Sequence, residues 1–109
     1  MFMLTLFLAS AIFTPTFEDR LLAVHNAERA RLNQTPLIWE QALAKEAAIW
    51  ANALASSRRF EHAQQSKHGE NLWMGTRSAY SIEEMAGYWI DERKSYKQGQ
   101  FPNVSRTGK

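Results

Sequence analysis

His62-Ala63-Gln64-Gln65-Ser66-Lys67-His68-Gly69-Glu70-Asn71-Leu72 sets two imidazoles and a carboxylate beside a turn-forming glycine. The run from Arg58 to Gly75 that contains it lacks any sustained hydrophobic period, and it reads as a long loop leading into a short strand at about Asn71 to Met74. Long loops in small domains tend to carry function. Neutral imidazole and carboxylate are ligands that divalent transition metals accept, and they are also the usual proton-transfer groups of an active site. A second carboxylate, Glu92, follows in Trp89-Ile90-Asp91-Glu92-Arg93.

Helical patterns flank this loop on both sides. Upstream, Leu43, Ala47, Trp50, Ala51 and Leu54 recur at the spacing of a buried face in an Ala-rich helix from about Trp39 to Ser57, with Trp39 and Trp50 read as core aromatics. Downstream, Ser81-Ile82-Glu83-Glu84 has the form of a capping box and opens a helix to about Tyr96. Its apolar stripe is Ile82, Met85, Trp89 and Tyr96, and Glu92 projects within that stripe, aimed at the interior. Burying a lone carboxylate costs several kcal/mol, so a partner or a metal is expected beside it. An earlier helix spans about Phe17 to Asn33, with Glu18 and Asp19 at its positive end, and breaks at Asn33-Gln34-Thr35-Pro36. Ala23, Val24, Ala27 and Ala30 form an arc of small side chains that would let another element approach closely. His25, Glu28 and Arg29 share a neighbouring arc, where His25 is either a ligand or, the favoured reading, a structural packing residue. The tail from Gln98 to Lys109 is polar and turn-rich and offers no core element.

The 109 residues fit one domain, and 45% apolar with 22% charged residues is an ordinary globular balance. Thirteen Lys and Arg against eleven Asp and Glu, mixed along the chain, give a net charge of +2 and do not favour a nucleic acid partner. Residues 1–11 are almost wholly apolar and end in Ala-x-Ala, as a secretory signal peptide does; the alternative is a first buried strand or helix. The segment is too short for a membrane span, which needs about 20 apolar residues. Residues 1–16 are therefore assigned as signal peptide and linker and residues 17–109 as the domain. With no cysteine, no disulfide can hold the exported fold together, so packing must. Asn33-Gln34-Thr35 and Asn103-Val104-Ser105 spell glycosylation acceptors, a pattern that recurs by chance.

In order, His25-Asn26-x-x-Arg29, Pro36-Leu37-x-Trp39, Phe60-x-His62, Gly69-Glu70-Asn71-Leu72 and Trp89-x-x-Glu92 follow the pattern of one family. Over roughly Phe17 to Tyr96 the chain resembles the CAP superfamily, also called SCP, or cysteine-rich secretory, antigen 5 and pathogenesis-related 1 proteins. The resemblance implies an α+β fold, the CAP-type α-β-α sandwich, whose central cavity holds a tetrad of two His and two Glu. By motif, His62 corresponds to the first His, Glu70 to the first Glu and Glu92 to the second. His68 lies in the variable loop before the Gly-Glu-Asn-Leu run and is at most accessory, as is Asn71. The second tetrad His belongs to a Gly-His-Tyr-Thr-Gln type motif that would follow Lys109, together with C-terminal strands. The expectation is thus a partial, helix-dominated domain with exposed apolar surface, which a partner or an oligomer would complete.

Three functions are consistent with these residues. The favoured one, implied by a family linked to sterol or lipid binding, defence and host interaction, is a secreted, non-enzymatic binding module built around the His/Glu cavity. A second is a metal-dependent hydrolase in which His62 and Glu92 hold zinc or calcium and Glu70 is the general base on bound water. Neither His-Glu-x-x-His nor His-x-x-Glu-His occurs, which excludes a helix-borne zinc protease motif. The third is an exported structural fragment in which His62, Glu70 and Glu92 only hydrogen-bond the loop to the helix.

Overall fold

The structure, a computed structural model, describes residues 13–64, 66–100 and 103–106. The apolar segment at residues 1–11 lies outside them. The described chain forms three helices, α1 (Phe17–Arg31), α2 (Gln41–Ser57) and α3 (Ile82–Asp91), the last continuing into a 3-10 turn at Glu92–Ser95.

Local chemistry sets each end. Thr16 caps α1: its side chain accepts from the Asp19 amide at 3.1 Å while the Asp19 carboxylate accepts from the Thr16 amide at 3.0 Å. At the other end Asn33 turns left-handed (φ 55°), and the Asn33 and Gln34 amides donate back to the Ala30 and Arg29 carbonyls. That pairing is a Schellman motif with Asn in the place usually held by Gly, so the helix stops before Pro36 acts. Asn26 then clasps the outgoing chain, its amide donating to the Leu37 carbonyl and its carbonyl accepting from the Leu37 amide. α3 opens on the capping box expected at Ser81 and Glu84, with both reciprocal bonds formed.

α1 and α3 pack side by side, and three cross-contacts fix their sense. Arg20 grips Glu83 through two nitrogens at 2.9 and 2.6 Å, His25 stacks on Trp89 with centroids 6.0 Å apart, and Arg93 donates to Glu28 at 2.9 Å. The partners advance in the same order along both helices, so the pair is parallel. Ala86 sits midway between Glu83 and Trp89 on that face and is fully buried. The small-residue arc is therefore on the other helix from the one expected: Ala23, Ala27 and Ala30 of α1 face solvent, and close approach is made at Ala86. His25 is a packing residue here, as its spacing favoured.

Two further expectations are corrected. α2 packs against neither α1 nor α3 among the described residues. Of its apolar face only Leu54 is buried, Leu43 and Ile49 are exposed, and Trp39 and Trp50 are half-buried with indole N–H groups that find no acceptor among the described residues. Asn71 to Met74 forms no strand, because a strand needs a neighbour to take its amides and carbonyls and none lies alongside among the described residues. The described tail adds no buried residue but is tied back to the end of the 3-10 turn: Tyr96 and Ser105 make an isolated antiparallel bridge, with the Lys97 amide donating to Val104 and the Arg106 amide to Ser95. The described chain is thus helix-dominated. No helix in it is long and apolar enough to cross a membrane.

The ion pairs across α1 and α3 carry a pH dependence. Hydrogen bonds from Arg31, and then from Arg93, hold the Glu28 carboxyl down to about 2. Arg20 lowers Glu83 as well. A carboxylate with a depressed folded-state pKa contributes stability that is complete above its ordinary value near 4.5 and is lost as pH falls through about 2. Thermal melts taken downward from pH 5 should therefore show a falling midpoint across this window, and Glu28→Gln should flatten the fall. An acid limb of equal slope in both proteins would show that Glu28 is not its source.

Candidate functional site

The 58–75 loop is organised by one carboxylate oxygen. Glu70 Oε1 lies 2.6 Å from His62 Nδ1 and accepts from the Ala63 amide at 3.0 Å, closing residues 62–70 into a loop. The Glu70 side chain is mostly covered, at 22% exposure, whereas His62 remains open at 67%. In its neutral form the His62 ring donates from Nδ1 to this carboxylate, which leaves the Nε2 lone pair directed away from Glu70 as an acceptor or ligand. Inside the loop, Ser66 and His68 bond to one another, the hydroxyl accepting from the His68 amide and donating to its carbonyl.

Trp89 fastens this loop to the helix pair. Its indole N–H donates to the Leu72 carbonyl at 3.0 Å while its ring stacks on His25, so one side chain joins α1, α3 and the loop. Two open clefts of about 390 and 340 Å³ flank it and share Phe60, Leu72, Trp89 and Glu92. One adds Glu61, His62, Glu70 and Asn71, a polar rim. The other adds Trp73, Met74, Tyr80 and Tyr88, an aromatic wall. The two thus adjoin through four common residues, with imidazole and carboxylate on the rim of one and aromatic rings on the wall of the other.

The residues singled out in the sequence separate here. His62, Glu70, Asn71 and Glu92 line the same cleft. Glu92 is not buried: it begins the 3-10 turn after α3 and is exposed, so the desolvation cost expected of it does not arise. His68 lies off the cleft, 3.7 Å from Glu46 of α2. Among the described residues no three His, Asp or Glu side chains stand close enough together to hold a metal ion. Both contacts to Glu70, from His62 and from the Ala63 amide, fall on Oε1.

Two features went unread in the sequence. Trp89 was placed in an apolar stripe, but a buried indole must also find an acceptor for its N–H, and that requirement pointed to a carbonyl outside the helix. Trp73, Tyr80 and Tyr88 cluster although they come from loop and helix with no common period; their proximity has no local signal.

The motif order agrees with sequence comparison. Residues 22–107 match the family described as CAP, the cysteine-rich secretory protein family, and the chain belongs to that family. It is 33% identical over 102 residues to GLIPR1-like protein 1 of Bos taurus, covering 81% of this chain and 42% of that protein. It is 31% identical over 72 residues to the pathogenesis-related protein PR-1 type of Sambucus nigra, covering 66% and 43%. It is also 31% identical over 87 residues to fruiting body protein SC14 of Schizophyllum commune, covering 76% and 37%. The chain thus spans less than half the length of the curated relatives it matches. No solved structure gives a significant match.

Proposed function

We propose that this chain is a secreted, non-catalytic binding module of the CAP family, and that its ligand is an amphipathic lipid or sterol lodged across the two adjoining clefts. The single observation that carries this is that an aromatic-walled cleft and a polar-rimmed one share Phe60, Leu72, Trp89 and Glu92. One cleft supplies aromatic and aliphatic contact, and the other supplies His62, Glu70 and Glu92 as tetrad-like partners for a hydroxyl or other polar group, with Asn71 as an accessory. Ligand sites commonly combine apolar walls with a few convergent polar groups in this way. Residues 17–109 act as the domain, in the α-β-α sandwich architecture of its family, and residues 1–16 as the segment directing export. The word secretory in the family's description and the apolar run ending in Ala-x-Ala support that export.

Titration with palmitate or cholesterol, followed by tryptophan fluorescence, is expected to saturate. Phe60→Ala should weaken binding by about tenfold, since removing a large apolar contact is worth roughly 1–2 kcal/mol at a partly open site. His62→Ala should weaken it much less. Absence of saturable binding overturns the assignment. Zinc-dependent turnover abolished by Glu70→Gln would replace it with the hydrolase. Residues 1–16 fused to a reporter should drive export, and a retained reporter would reject their role.

A further inference from the structure

The aromatic end of the cleft has a geometry that apolar contact alone does not require. Trp73 and Tyr80 meet edge to face with ring centroids 5.0 Å apart, and Tyr88 lies 6.4 Å from each, tilted to Trp73 and edge-on to Tyr80. Three rings at different inclinations around a short triangle are walls, not a stack. The sides of the triangle are short enough that a cation over its middle lies within about 6 Å of every ring centre, the range in which the negative ring face attracts positive charge. The rings are also reachable, since Tyr80 and Tyr88 are 40% and 56% exposed.

Charge points the same way. The residues lining this cleft are Phe60, Leu72, Trp73, Met74, Tyr80, Tyr88, Trp89 and Glu92. They include no Lys, Arg or His, and their one carboxylate is Glu92, which accepts no hydrogen bond from the described residues. An anionic headgroup would meet a carboxylate and aromatic faces, both unfavourable. A hydrated ammonium ion would have to shed its water for contacts that are largely apolar. A cation that carries its charge inside an alkyl shell meets neither cost, because its methyl groups pack on the rings while its charge is drawn by them and by Glu92.

We propose that Trp73, Tyr80, Tyr88 and Glu92 form a seat for a quaternary ammonium group of the choline type. This deepens the binding function above, on which it rests, by naming a cationic group that the aromatic cleft accepts in addition to apolar contact. Such a group can arrive as a free small molecule or on a choline lipid, and the same seat serves both.

The test uses the full chain and the matched pair choline and 3,3-dimethylbutan-1-ol, which have similar shape and differ in charge. Choline should quench tryptophan fluorescence saturably and bind roughly tenfold more tightly than the neutral alcohol, the margin expected of cation–π attraction at a partly desolvated site. Tyr88→Leu keeps apolar area and removes the π face, so it should erase that preference. Tyr88→Phe should retain it, and Glu92→Gln should reduce it. Because Tyr88 is exposed, unchanged circular dichroism and melting in these variants are expected and serve as the folding control. Sedimentation with phosphatidylcholine but not phosphatidylglycerol vesicles would identify the lipid source, and choline binding without vesicle binding the free one; both uphold the seat. Equal binding of choline and the alcohol, or neither binding while palmitate or cholesterol still saturates, overturns the seat and leaves the binding module intact. Failure of every ligand overturns both.

Discussion

Trp89→Ala is expected to destabilise the chain by about 3 kcal/mol, the lower end of the range for removing a large aromatic because the side chain is half-buried. The loss has three parts. The stack on His25 disappears, and with it the central contact of the α1–α3 pair. The Leu72 carbonyl loses its donor at a partly buried site. The wall common to both clefts is removed, so the loop that carries Glu70 and His62 is no longer fastened to α3. Small domains have total stabilities of about 5–15 kcal/mol, and this one buries only Leu54 and Ala86 among its described apolar side chains, so a 3 kcal/mol loss should approach unfolding at 37 °C. Urea denaturation followed by circular dichroism measures it. Trp89→Phe divides the loss: it keeps a ring against His25 but cannot donate to Leu72, and it should cost about 1–2 kcal/mol. A Trp89→Ala protein within 0.5 kcal/mol of the parent, on the scale of an ordinary surface change of about that size, would deny the residue its fastening role.

How far this site could be read in the sequence depended on the range of the forces behind each residue. The Ser81–Glu84 box formed as spelled because both its bonds close within four residues. The break after α1 was placed correctly but for a different reason, the left-handed turn at Asn33 preceding the influence of Pro36. His62, Glu70 and Glu92 stand out by residue type and motif order, and they line one cleft, but the bonds from His62 and the Ala63 amide to Glu70 carry no signal in the sequence. Two of the errors involve a partner distant in the chain, and a third is a local change of helix type. Small residues on α1 suggested a close-packed face, yet the face was chosen by Arg20 and Glu28 meeting Glu83 and Arg93 more than sixty residues away. Asn71 to Met74 has the local composition of a strand, which is not enough without a neighbouring strand. Glu92 fell in the apolar stripe on an ideal helix, but α3 tightens into a 3-10 turn at that residue and the stripe ends at the rim of the cleft.

Ala86→Leu, the second large effect, should cost about 1–3 kcal/mol, because a fully buried methyl at the contact of two helices leaves no room for three more carbons without moving a backbone or forcing a strained rotamer. Leu is as good a helix former as most residues, so propensity cannot account for such a loss. The controls follow from which faces are exposed. Ala23→Leu and Ala27→Leu on the solvent side of α1 should change stability by no more than about 0.5 kcal/mol. Gly87→Ala, one position beyond Ala86, meets no atom within 4 Å and should stabilise α3 by about 0.5–1 kcal/mol. Adding carbon at adjacent positions should thus act in opposite directions, a result that general helix strengthening or general surface hydrophobicity cannot produce. If Ala86→Leu is tolerated while Ala27→Leu is not, the small-residue face of α1 carries the contact and the parallel packing of α1 on α3 through Ala86 is wrong.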